Sequence, residues 1–311
     1  MEDIKKIQEE LNRARSELNV LYEITNAMRT TLKLDEILYI ILTGVTAHVG
    51  LRFNRAILFL VNEQKGIIEG KMAIGPNTAE EANRIWTKIE EDKKNLDDLI
   101  DAYKSSGKML ESALHRQITH LKIPLKENEK NLLALCVLDG MPLHLTKETI
   151  VNYAHDPLVE ILKTEEMAIV PLRSKDKVNG IIIADNIFTK KPITKDDLRL
   201  LMMLANQAGL AIENSQLYEG AIIRSHTDSL TNLWNHGYFQ YLLQTEIEKA
   251  QALKNNLSLI MIDIDNFKDY NDCWGHQIGD KILKDIAGLL QSYSRKMDYV
   301  CRYGGEEFTI I

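Results

Sequence analysis

Apolar positions in the first 30 residues recur every seven. Ile4, Leu11, Leu18 and Thr25 share one position; Ile7, Ala14, Leu21 and Met28 share the other, with Lys, Glu, Arg and Gln between them. This spacing predicts one amphipathic helix. It fits a helix lying on its own domain and, more sharply, a short parallel coiled coil that makes a dimer. From Leu34 to about Ser215 the pattern becomes mixed α and β. Residues 35–49 read as a helix with Ile37, Leu38, Ile41, Leu42 and Val45 on one stripe. Residues 55–62 read as a buried strand, followed by a Glu-Gln-Lys-Gly turn and a second strand over 67–72. Residues 78–106 are polar and helical in pattern. Residues 168–172 and 178–185 form a predicted hairpin around Ser-Lys-Asp-Lys, with Gly180 inside it.

A long helix follows, with Asp196 or Asp197 as its cap, running to about Arg224. It shows two apolar stripes, one through Leu198, Met202, Ala205 and Ile212, the other through Leu201, Leu204, Ala208, Ala211, Tyr218 and Ile222. One stripe is expected to pack on its own sheet and the second on a partner helix. No Pro and no Gly-rich hinge interrupts the path from Gly220 to Asp228, so the helix is expected to transmit rotation rather than act as a loose tether.

Composition narrows the class. A chain of 311 residues, 45% hydrophobic and 27% charged, is ordinary globular material for about two domains at ~150 residues each. The formal net charge of −7 argues against a surface that wraps nucleic acid, because phosphate binding relies on clustered Lys and Arg. It does not argue against a nucleotide held through metal ions. The longest apolar runs, at 37–45 and 132–138, fall far short of the ~20 residues that span a bilayer. The start, Met1-Glu2-Asp3, has no hydrophobic signal region. Cys136, Cys273 and Cys301 show no CxxC spacing, as expected of a reduced, cytoplasmic compartment.

The opening Leu34-Asp35-Glu36-Ile37-Leu38, the strand at 56–62, and the close through 168–185 and 193–217 resemble a GAF domain, a sensory α/β module with a central antiparallel sheet. The resemblance implies a small-molecule ligand of unknown identity. The stretch from about Ile85 to Asn152 is an enlargement where such domains form their pocket. It holds His115, His120, His144 and Cys136, with His155 just beyond, candidate ligands for haem or a metal; none is at metal-ligand spacing, so the plainer reading as surface or hydrogen-bonded residues is favoured.

Chemistry concentrates after residue 226. His226-Thr227-Asp228-Ser229-Leu230-Thr231 is a polar lead-in where Asp228 or Thr231 is a candidate cap. A strand over 257–262 runs into Asp263-Ile264-Asp265; alternation puts both carboxylates on one face, where they need a cation, a donor or water. Asn266-Phe267-Lys268-Asp269-Tyr270-Asn271-Asp272 follows, then Gly275-His276-Gln277-Ile278-Gly279-Asp280, whose glycines can admit a ligand and begin a helix over 280–293. A strand over 299–303 then meets Gly304-Gly305-Glu306-Glu307-Phe308, a hairpin turn followed by two glutamates.

In this order the motifs resemble the GGDEF family of diguanylate cyclases over residues 226–311. The whole is then an α/β (α+β) chain. A coiled-coil helix occupies 1–32, a GAF-like domain 33–216, a helical linker 217–227, and an incomplete ferredoxin-like βαββαβ cyclase domain 228–311. The resemblance implies condensation of two GTP into cyclic di-GMP with release of pyrophosphate. Asp263, the Ile264 carbonyl and Glu306 would hold Mg²⁺ (Mn²⁺ is an alternative), hard oxygen donors suiting such ions. Glu306, Asp263 and Lys268 are the implied catalytic residues, with Glu306, or a metal-bound hydroxide beside it, taking the proton from the 3′-hydroxyl. Asn271 and Asp280 would read guanine, Lys268 and the amides near Phe267 would hold phosphates, His276 would lie beside the nucleoside, and Glu307 would add a metal or ribose contact. Arg295 and Asp298 match an inhibitory site for the product. Each domain carries one GTP, so two must meet about a two-fold axis, and a homodimer is implied.

Two departures stand out. The chain ends three residues after Phe308, so the family's last helix and strand are missing and Leu257–Ile262 are expected to form an exposed edge. At His236 the family often has Arg. The second reading these departures raise is a non-catalytic receptor that binds GTP or cyclic di-GMP, or merely dimerises.

Overall fold

The computed structural model describes residues 2–47, 50–82, 98–101, 103, 112–126 and 131–311. The chain divides into two compact units, Met1–Gln216 and Leu217–Ile311. Among the described residues, no helix is long and apolar enough to cross a membrane.

The first unit is built on a six-stranded antiparallel sheet. Its strands are β1 (Arg55–Asn62), β2 (Ile67–Ile74), β3 (Lys122–Pro124), β4 (Leu143–Leu145), β5 (Met167–Ser174) and β6 (Lys177–Asp185), in the order β3-β2-β1-β6-β5-β4. The antiparallel sheet agrees with the sequence expectation; β1 has the expected bounds, and β2, β5 and β6 run one to three residues past the apolar runs that predicted them. The β1 run Ala-Ile-Leu-Phe-Leu does not alternate with polar residues because both faces are covered. Ala56, Leu58 and Leu60 pack with Ala168, Val170 and Ile182 under α1 (Glu2–Met28) and α2 (Leu34–Thr46). Ile57 and Phe59 pack with Ile169, Ile181 and Ile183 under α3 (Ala113–Thr119), α4 (Leu132–Asp139) and the helices that follow it. Between β4 and β5 come α5 (Lys147–Ile150), a 3₁₀ turn (Val151–Tyr153) and α6 (Pro157–Leu162). Much of 78–106, and of the enlargement from Ile85, lies outside the described residues.

Helix α1 is a single helix, and its repeat divides in two. Leu21 and Met28 are buried against α2 and the sheet, whereas Ile7, Leu11 and Leu18 are at least 60% exposed. Helix α7 (Lys195–His226) runs from the first unit into the second. Its cap is neither Asp196 nor Asp197. The Thr194 hydroxyl accepts from the Asp197 amide at 3.1 Å and the Thr194 amide donates to the Asp197 carboxylate at 2.9 Å, a reciprocal capping box that needs an acceptor at both ends.

The two predicted stripes of α7 do not separate into sheet and partner faces. Leu201, Leu204, Ala205, Ala208 and Ile212 are all buried, drawn from both stripes, because the helix sinks deeply into the sheet surface. Gly209 permits this, since a β-carbon there would overlap the Arg173 carbonyl oxygen. The apolar residues left exposed are Met203, Leu210 and Leu217, seven apart, with Tyr218, Ile222 and Ile223.

The second unit has a three-stranded antiparallel sheet in the order β7 (Ile260–Asp263), β9 (Glu307–Ile310), β8 (Val300–Arg302). Helices α9 (Phe267–Trp274) and α10 (His276–Tyr293) connect β7 to β8, and β9 inserts between them, a split β-α-β arrangement of ferredoxin-like type. Phe308, Val300 and Ile262 pack with Phe267, Leu283 and Ala287 on one face. Cys301 packs with Phe239 and Leu242 of α8 (His236–Leu253) on the other. β7 starts at Ile260, three residues later than expected. It forms a sheet edge where Ile260 is 52% and Met261 58% exposed, while Ile262 is partly buried because it points into the helical face.

Candidate functional site

The site is assembled where β7 ends. Asn266 adopts φ +56°, a left-handed conformation that turns the chain from Asp263 into α9 within three residues. Phe267 is buried and anchors the start of α9, while Lys268 is exposed beside it. No side chain caps α9, so its leading amide groups present a positive helix end suited to an anion. Gly275, at φ +82°, separates α9 from α10, which begins at His276 rather than at Asp280. His276 and Asp280 are exposed on α10, and Asn271 is half-buried on α9 with an Oδ1 that is buried and has no hydrogen-bond partner.

The Gly-Gly turn is held from outside itself. The Tyr303 amide donates to the Glu307 carbonyl at 2.8 Å, closing the hairpin between β8 and β9. Arg302 then reaches over the turn, with Nε 3.2 Å from the Gly304 carbonyl and Nη2 2.7 Å from the Gly305 carbonyl. Its Nη1 donates to Asp228 Oδ1 at 2.9 Å, and that same oxygen accepts from the Thr231 amide at 2.9 Å and hydroxyl at 2.7 Å. Burial opposes ionisation of Asp228, but these hydrogen bonds and the Arg302 charge outweigh it and hold the carboxyl below its ordinary value. His236 Nδ1 donates to the Tyr303 carbonyl at 3.0 Å.

Asp228 is therefore not a helix cap, and neither is Thr231. Asn235 caps α8 by accepting from the Tyr238 amide, and Asp228 instead fastens a turn to the hairpin. The roles of Asp228, His236 and Arg302 left no sequence signal, because partners separated by 67 to 74 residues obey no local spacing rule.

The strand register places Asp263 opposite Glu307, and Ile262 opposite Phe308. Directly paired residues share a face, so two carboxylates face the same side, an arrangement that repels unless a cation or donor joins it. Glu306 precedes Glu307 at the mouth of the turn and is half-buried, and Glu307 lies close over Gly304. Among the described residues no group of three or more His, Cys, Asp or Glu is gathered tightly enough to hold a metal. A divalent ion here would draw on Asp263, Glu306 and the Ile264 carbonyl, with phosphate and water completing its shell. That set of hard oxygens suits Mg²⁺.

Arg295 and Asp298 sit in a turn after α10. The Asp298 carboxylate accepts from the Arg295 amide at 2.8 Å and the Asp298 amide donates to the Arg295 carbonyl at 3.0 Å, leaving the Arg295 side chain exposed. In the first unit, His144 Nε2 lies 2.9 Å from Glu166, His115 Nδ1 accepts from the Ala73 amide, and the Cys136 thiol is pushed up to about 12 by burial.

Two family models match the chain: "GAF domain" over residues 18–212 and "Diguanylate cyclase, GGDEF domain" over residues 225–311. Diguanylate cyclase A of Treponema denticola is 36% identical over 146 residues, 46% of this chain and 38% of that protein. The response regulator PleD of Caulobacter vibrioides is 45% identical over 85 residues, 27% of this chain and 19% of that protein. The chain thus spans less than half the length of the curated relatives it matches. Among solved structures, the GGDEF domain of DgcB from Caulobacter crescentus, in complex with c-di-GMP, is 37% identical. That match covers 28% of this chain and 49% of that one, with a TM-score of 0.27. The GAF domain of a phosphoenolpyruvate-protein phosphotransferase from Coxiella burnetii is 14% identical over 67% of this chain and 98% of that one, with a TM-score of 0.47. The chain belongs to the GAF-domain family, and its residues 225–311 are a GGDEF domain of the diguanylate cyclase type.

Proposed function

We propose that this chain is a GAF-regulated diguanylate cyclase that joins two GTP into cyclic di-GMP and releases two pyrophosphates. The observation that carries the reading is the Asp263–Glu307 register beside Glu306, at the end of a strand whose continuation is an uncapped helix. Carboxylates for a cation and an amide-lined helix end for phosphate stand on consecutive elements.

The residues divide the work. Lys268 and the leading amides of α9 bind and orient the terminal phosphates. Asn271 and Asp280 select the base, because a carboxylate accepting from guanine N1 and N2 finds no such donor pair on adenine. His276 flanks the nucleoside. Glu306 accepts the proton of the 3′-hydroxyl, whose oxygen then bonds to the α-phosphorus of the second GTP as pyrophosphate leaves. Asp263, the Ile264 carbonyl and Glu306, with Glu307 nearby, would hold Mg²⁺ (or Mn²⁺), which supplies charge neutralisation at the reacting phosphates when bound. Arg295 and Asp298 form the product-inhibition site, the exposed guanidinium engaging guanine O6 and N7.

Each domain binds one GTP, so the active species is a homodimer that brings two half-sites together. The exposed apolar residues spaced by seven, Met203, Leu210 and Leu217 on α7, with Ile7, Leu11 and Leu18 on α1, suit a coiled-coil seam between two copies. A small ligand of the GAF domain regulates the reaction, and the protein works in the cytoplasm. Incubating the 311-residue chain with GTP and Mg²⁺ is expected to release pyrophosphate and yield cyclic di-GMP, and Glu306→Ala is expected to abolish both. GTP binding without any pyrophosphate release overturns the catalytic reading in favour of a nucleotide receptor.

A further inference from the structure

We propose that Gly279 is the positioning residue for base recognition: by lacking a β-carbon it leaves the space that the Asn271 carboxamide fills. The inference rests on the guanine-reading role given above to Asn271 and Asp280. Gly279 lies in the first turn of α10, its amide donating to the Gly275 carbonyl at 3.2 Å. Unlike Gly275, it is not among the residues with positive φ, so nothing in its backbone conformation calls for glycine. Glycine inside a helix carries an entropic penalty relative to alanine. Space is the reason it is tolerated here. A β-carbon at 279 would overlap Asn271 Oδ1 and lie 2.9 Å from its Cγ and 3.3 Å from Phe267 Cζ.

The Asn271 oxygen seated in this gap is buried and unpaired. A shielded carbonyl without a donor is costly, so the seat does not serve the amide's own hydrogen bonding. It fixes where the side chain stands, between Phe267 on its own helix and the peptide before Asp280 on the next. A β-carbon at 279 expels the end of a flexible side chain rather than backbone, so Gly279→Ala is expected to fold with α10 in place and with Asn271 displaced.

A double-mutant cycle tests this on the full chain, using wild type, Gly279→Ala, Asn271→Ala and the double variant. Calorimetry with GTP, with ATP, and with Mg²⁺ throughout gives the first readout. Gly279→Ala is expected to weaken GTP binding at least about tenfold, the equivalent of one lost hydrogen bond to a ligand, and to leave ATP binding unchanged. In the Asn271→Ala background the same change is expected to have no further effect. The second readout needs no nucleotide. Gly279→Ala is expected to raise Tm in the Asn271→Ala background, where alanine favours the helix, and to lose that gain where Asn271 is present. Additive Tm changes, or a Gly279→Ala variant that keeps wild-type GTP preference while Asn271→Ala loses it, overturn the proposal. Wild-type GTP binding by Asn271→Ala itself overturns it through the guanine-reading role, which is a distinguishable failure.

Discussion

Arg302 Nη1 donates to Asp228 Oδ1 at 2.9 Å, joining the glycine turn to a segment 74 residues earlier in the chain. Its Nε and Nη2 donate to the Gly304 and Gly305 carbonyls, so one side chain holds both ends of the contact. Arg302→Ala is expected to lose roughly 1–3 kcal/mol of stability and to lower GTP turnover by more than the unfolded fraction explains. Arg302→Lys restores a charge without the planar fork and is expected to recover only part of either. Chemical unfolding and a product assay on the same preparations check this.

Acid should release the same clamp. The Asp228 carboxyl is held below its ordinary value, so its ionised form stabilises the fold above the unfolded value of ~3.9. That stabilisation is lost as pH falls through the lower folded value. Asp228→Asn is therefore expected to be less stable than wild type at neutral pH, with the difference shrinking below about pH 4. Denaturant unfolding at a series of pH values measures the convergence.

A second ion pair is fully buried. Arg55 Nη2 lies 2.6 Å from Asp185 Oδ2, and its fork also bonds the Leu162 carbonyl at 2.8 Å. Burial pushes the Asp185 carboxyl up in spite of Arg55, so desolvation outweighs the attraction. Arg55→Met alone is expected to cost ~3–5 kcal/mol by stranding the carboxylate, whereas adding Asp185→Leu recovers most of it. Urea midpoints of the single and double variants decide.

Thiol reactivity should follow burial. Burial raises Cys136 to about 12 and Cys301 to about 11, while Cys273 is exposed. Iodoacetamide at pH 8 is expected to label Cys273 alone in the native protein and all three cysteines in denaturant. Peptide mapping of the labelled chain reports which sites react.

Two helix glycines should respond oppositely to alanine. At Gly209 a β-carbon meets the Arg173 backbone, which cannot step aside, and Gly209→Ala is expected to lower Tm. At Gly288 on α10 there is nothing within 4 Å, and Gly288→Ala is expected to stabilise by up to ~1 kcal/mol. Thermal unfolding of the two variants against wild type shows both signs.

Elements and motifs were legible in the residues alone, because they follow local rules. The β1 and β6 runs are continuous apolar stretches next to turn residues, and α1 and the long helix after Thr194 carry helical spacings of apolar residues. The Asp263, Phe267–Asn271, Gly275–Asp280 and Gly304–Phe308 motifs could be placed on strand ends and helix starts. What local rules cannot carry is pairing at a distance. Whether Asp228 capped a helix or met Arg302, which residues of α7 the sheet would cover, and that His236 bonds the Tyr303 carbonyl were decided by contacts across tens of residues. The register that sets Asp263 against Glu307 belongs with these, since a hydrophobic pattern of period two fixes which face a residue takes but not which partner stands opposite. So does Gly279. In sequence it is one glycine of a motif; only the packing of α9 on α10 shows that its missing β-carbon is the seat of Asn271.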